Sequence, residues 1–68
     1  METVVEKNKI KLNKYVETLE QLGANARFYN NCDDYDRLHV QFKSIEYWAK
    51  KAAKVIEDTQ RKLKKGDN

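Results

Sequence analysis

The chain has 68 residues, 37% charged and 40% hydrophobic, with a net charge of +3, one cysteine, one histidine and no proline. These figures exclude an intrachain disulfide, argue against a structural zinc site and leave room for a single domain, residues 1–68. A chain of this size buries only about 60% of the surface its unfolded form exposes, so a lone folded unit is marginal and self-association is the expected staple.

No apolar run approaches the roughly 18 residues of a membrane span. No charged-then-apolar leader opens the chain. With a lone thiol at Cys32, the expected location is cytoplasmic, with no membrane partner.

The first element is a helix over about 3–30. Val5, Asn8, Leu12, Tyr15, Leu19, Leu22, Ala26 and Tyr29 recur in alternating steps of three and four, the a/d pattern of a helix seam, with Asn8 its one polar member. Gly23 is the weak point, because glycine destabilises helix interiors and often ends them. The seam continues in register beyond it, so a continuous helix is expected. The competing reading breaks the helix there and makes 24–30 a short helix or loop.

Asn30-Asn31-Cys32-Asp33-Asp34 follows. Short Asn and Asp side chains bond nearby backbone, which favours a turn over 30–34 and an N-cap for the next helix.

The second helix is expected over about 33–65, with seam residues Tyr35, Leu38, Phe42, Ile45, Ala49, Ala52, Ile56, Thr59 and Leu63. Its b and c positions, from Asp36 and Arg37 to Lys64 and Lys65, are all polar and mark the solvent side. Gly66-Asp67-Asn68 reads as a C-cap and frayed tail.

The two helices are expected to form an antiparallel hairpin, an all-α fold. Folding the chain about Cys32 sets Tyr29 against Tyr35, Leu22 against Phe42, Leu19 against Ile45, Tyr15 against Ala49, Asn8 against Ile56 and Val5 against Thr59. Asn8 and Thr59 then lie near fraying ends. Val4, Val16, Trp48, Ala53 and Val55 flank this seam and make a stripe too wide for two helices to cover. A second hairpin would cover it, giving a homodimeric four-helix bundle with Val16, Trp48, Ala53 and Val55 at the interface.

Little here resembles catalytic chemistry, so no enzyme activity, cofactor, metal or small-molecule substrate is expected. His39 stands alone near the turn. Cys32 has acidic neighbours, which make a thiol less reactive. Asp33, Asp34 and Asp36 lack the glycine and distant glutamate of a calcium loop.

Charge layout says more. Eleven of the fourteen basic residues lie at 7–14 and 50–65, which meet at the open end of a hairpin, while residues 17–36 hold five acids and one base. Lys7, Lys11, Lys14, Lys50, Lys51 and Lys62 are the candidate contacts for a nucleic-acid backbone. Lysine rather than arginine dominates, which weakens bidentate phosphate recognition. A second feature is an outer line, Val40 and Tyr47 followed by Lys54 and Arg61, with Lys43 beside it. Tyrosine and arginine are common anchors of protein contacts. The leading expectation is therefore a non-catalytic regulator or adaptor that docks on another protein through this line. The alternative is a nucleic-acid-binding regulator.

Overall fold

The computed structural model describes residues 3–64. Residue 65 of the expected second helix and the Gly66-Asp67-Asn68 tail lie outside the described residues. Two helices, α1 (Val4–Asn31) and α2 (Tyr35–Lys64), fold back on each other as a hairpin. The result is a slab with extents of 49 × 18 × 11 Å.

Thr3 starts α1. Its backbone is extended, and its Oγ1 accepts a hydrogen bond from the Glu6 amide at 3.1 Å. That bond satisfies one of the donors a helix N-terminus leaves free. The helix then runs unbroken through Gly23. A Cβ at Gly23 would meet nothing within 4 Å, so packing does not require the glycine. The apolar seam on both sides carries the helix across it.

The turn is tighter than the expected 30–34, because α1 extends to Asn31 and α2 begins at Tyr35. The Asp34 amide donates to the Tyr29 carbonyl at 2.9 Å and the Asp33 amide to the Asn30 carbonyl at 3.2 Å. These are the paired bonds of a Schellman termination, which needs a left-handed residue just past the cap. Asp33 fills that place with φ 57°, one of the few non-glycine types that tolerates it. Asp34 then caps α2, its Oδ1 accepting from the Arg37 amide at 3.2 Å.

The α1 seam faces inward as expected. Val5, Leu12, Tyr15, Leu19, Leu22 and Tyr29 are half-buried, and Ala26 and Asn8 are buried. In α2 the expected seam is only half right. Leu38, Ile45, Ala52 and Thr59 turn inward, but their companions are Gln41, Trp48, Val55 and Lys62 rather than Phe42, Ala49, Ile56 and Leu63. The helix is rotated by one line of side chains, roughly 60° about its axis. Trp48 and Val55, expected at a dimer interface, therefore belong to the seam within the hairpin. The Trp48 ring lies 5.8 Å from that of Tyr15, where Ala49 was expected.

The rotation also corrects the open end. Asn8 faces Asp58 and Thr59 instead of Ile56. Its Nδ2 donates to Asp58 Oδ2 at 2.9 Å and to Thr59 Oγ1 at 3.0 Å, and the Thr59 hydroxyl donates onward to the Val55 carbonyl at 2.9 Å. Asn8 is thus a buried clamp between the helices, not a residue at a fraying end. Among the described residues one buried polar atom is left over: Gln41 Oε1 has no hydrogen-bond partner.

Four stability changes follow, each readable by urea denaturation. Asn8→Ala should cost about 1–3 kcal/mol, because it removes the buried amide that bonds the half-buried Asp58 and Thr59; Gln41→Leu should gain roughly 1 kcal/mol by removing an unpaired buried acceptor. A neutral Asn8→Ala would mean that the clamp does not hold the open end. Asp33→Gly should stabilise by up to about 1 kcal/mol, and Asp33→Val should destabilise, because β-branched residues resist positive φ. The reverse order would mean the turn takes another conformation.

Candidate functional site

Antiparallel helices that share an inward face also share their flanks, so the slab has two broad faces of different chemistry. On one side of the seam lie Lys7, Lys11 and Lys14 of α1, with Lys51 and Lys62 of α2. All but the half-buried Lys62 are exposed. Asp58 is engaged by Asn8 and by Arg61 at 3.9 Å. The expected nucleic-acid contacts thus come together on one face, except Lys50. Lys50 lies towards the opposite flank, 4.0 Å from Glu46.

On the other side lie Val16 and Gly23 of α1 and the line Phe42, Ala49, Ile56 of α2. A groove of about 440 Å³ opens between the helices here, lined by Gly23, Ala26, Arg27, Asn30, Leu38, Phe42 and Ile45. Its lining comes from both helices, which places the Gly23 side of α1 and the Phe42 side of α2 on the same face. Of the expected dimer residues, Val16 and Ala53 are exposed on this face, whereas Trp48 and Val55 turn towards α1.

The outer edge of α2 carries Val40, Tyr47, Lys54 and Arg61, all exposed, with Lys43 beside Val40 and Tyr47. The structure fixes Tyr47 in a small aromatic ladder. Its ring meets the Trp48 ring edge-on at 5.2 Å, and Trp48 in turn lies against Tyr15 of α1. Such edge contacts orient rings beyond what area burial alone provides. The Lys51 ammonium stands 5.0 Å from the centre of the Tyr47 ring and 5.8 Å from that of Trp48. Hydrogen bonding to the Tyr47 side chain, followed by electrostatic interaction with it, raises the pKa of this ammonium above its ordinary value.

Lys51 and Tyr47 are one helical turn apart, a spacing at which side chains meet. That spacing was available in the sequence as a sign of the pair. Trp48 between them was not, because its inward placement depends on the rotation of α2.

His39 and Cys32 are exposed near the turn. Among the described residues, no group of three His, Cys, Asp or Glu side chains converges as metal ligands would. No helix of the described residues is long and apolar enough to cross a membrane. Compared with known proteins, the chain matches no family model, no curated protein and no solved structure.

Proposed function

We propose that this chain is a non-catalytic regulator or adaptor of the cytosol, a hairpin that self-associates and docks on an acidic partner protein. The observation that carries the reading is the Tyr47 platform. Tyr47 is 54% exposed, yet its ring is oriented by Trp48 and topped by the Lys51 cation. An exposed tyrosine already held in one orientation loses little entropy on binding, which favours it as an anchor. Lys43, Lys51, Lys54 and Arg61 surround it and select an acidic counterpart. The lone thiol at Cys32 suits a reducing compartment.

The second reading is a nucleic-acid regulator. The shared face of Lys7, Lys11, Lys14, Lys51 and Lys62 favours it. It ranks below the first because that face is lysine-rich and carries no guanidinium fork aimed at a phosphate.

Capture from nuclease-treated lysate, followed by titration of the captured protein, separates the two. For a protein partner, Tyr47→Ala should weaken binding by about 2 kcal/mol or more, with a shallow salt dependence. For a phosphate backbone, Lys7, Lys11 and Lys14 changed together to glutamine should flatten the log–log salt slope by up to about three units, with Tyr47→Ala changing little. Nuclease-sensitive, salt-steep binding to mixed-sequence RNA or duplex DNA that ignores Tyr47→Ala would overturn the first reading.

A further inference from the structure

The rotation of α2 leaves an apolar line outside the hairpin. Tyr35, Phe42, Ile56 and Leu63 are 64%, 56%, 45% and 54% exposed, and Ala49 between them is exposed as well. The five fall one heptad apart, so they make a continuous stripe about 42 Å long that drifts slowly around one helix. Within the hairpin the described core is slight: Ala26 is the buried apolar residue, and no side chain is fully buried. The largest run of apolar surface therefore remains uncovered in a molecule too small to stand on its own core.

We infer that the stripe seats the same stripe of a second copy, α2 against α2 antiparallel, with the twofold axis at Ala49. This rests on the proposed self-association and specifies its geometry. The axis sets alanine on alanine at the centre, where close approach needs small residues. Phe42 then lies opposite Ile56 of the second copy, and Tyr35 opposite Leu63. Because Phe42 lines the groove beside Gly23, Ile56 of the second copy sits over that opening.

Charge selects the same register. In an antiparallel pair, flanking residues meet flanking residues of the same heptad line. Here the flank holds Asp36, Lys43, Lys50, Glu57 and Lys64. With Ala49 on the axis, Asp36 meets Lys64 and Lys43 meets Glu57, opposite charges in both cases. The like pair, Lys50 with itself, falls at the axis, where each ammonium already lies 4.0 Å from its own Glu46. A slip of one heptad one way sets Asp36 against Glu57 and Lys43 against Lys50. A slip the other way sets Lys50 against Glu57, but it also sets Lys43 against Lys64 and leaves Tyr35 without a counterpart. A parallel pair would set this flank against the line of Gln41, Trp48 and Val55, which faces α1, so the opposite charges would not meet. The inner neighbours also agree: Glu46 meets Ala53 and Lys50 of the second copy, and His39 meets Gln60.

Lys43 and Glu57 are about 21 Å apart along one helix, too far to couple within a chain. Coupling between them therefore reports contact between chains. Sedimentation equilibrium at low salt should give the wild type twice the 8.1 kDa chain mass. Lys43→Glu and Glu57→Lys should each weaken the dimer about tenfold, since the twofold doubles each exposed pair, and the double variant should return to within about threefold of wild type. In a Cys32→Ser background, Ala49→Cys should form a disulfide dimer under mild oxidation, and Tyr47→Cys, on the outer edge, should not. A wild type that stays monomeric and helical at high concentration would overturn self-association itself, and this inference with it. A dimer in which the double variant is no better than the singles, or in which Ala49→Cys does not cross-link, would overturn the register alone.

Discussion

Two helices in contact offer each other one face apiece, and that limit governs this molecule. α1 has one apolar face and spends it on α2. α2 has three apolar-rich lines side by side: Leu38-Ile45-Ala52, Trp48-Val55 and Phe42-Ala49-Ile56-Leu63. α1 covers two of them, and the third stays in solvent. Which line is left out is settled by the largest ring and by the polar clamp. Trp48 gains Tyr15 by turning inward, and Asn8 gains both Asp58 and Thr59. Turning α2 the other way would leave a tryptophan exposed and a buried asparagine facing isoleucine. Stranding a buried amide costs more than leaving an exposed alanine and isoleucine outside.

The clamp explains why the hairpin is closed at its open end, where helix pairs usually fray. The backbone bonds of the termination at Asp33, with the Asp34 side-chain cap, close the other end. Between these closures the seam side chains are half-buried except Ala26, and the described residues are helical without a deep core. Helix stability in such a molecule comes mostly from packing of one face on a neighbour rather than from intrinsic propensity. A further layer of helices therefore adds most where the described core is thinnest.

Legibility in the sequence follows the same physics. Every α1 seam residue could be read, because α1 carries a single apolar stripe and periodicity then has one solution. Continuity through Gly23 was legible for the same reason. The rotation of α2 was not. Periodicity ranks lines by apolar content, and the line with Gln41 and Lys62 ranks below the line with Phe42 and Leu63. The choice between them depends on the Trp48–Tyr15 contact and the Asn8 bonds, which are tertiary. The excess width of the stripe was visible, but the identity of the uncovered line was not. The Thr3 cap was present as Thr-Val-Val-Glu, a capping-box spacing that marks a helix start more sharply than the seam does. The basic cluster was legible as an end of the hairpin. Its division between two faces, with Lys50 apart from Lys51, again needs the rotation.

The two broad faces divide the tasks proposed for them. A second copy seated on the apolar face leaves the lysine face of each hairpin turned outward, with the Tyr47 edge beside it. The twofold axis then presents two identical docking surfaces on opposite sides of one assembly. A partner with repeated acidic segments would be held at both, and the second contact would form at the effective concentration set by the first. Each docking edge is modest, a single oriented tyrosine among cations, so one contact alone would be short-lived. Joining two of them through a separate apolar seam raises affinity without enlarging either edge. Self-association and docking are then linked through mass action: whatever weakens the α2 seam also weakens a bivalent complex, even though Lys43 is the one residue the two surfaces share.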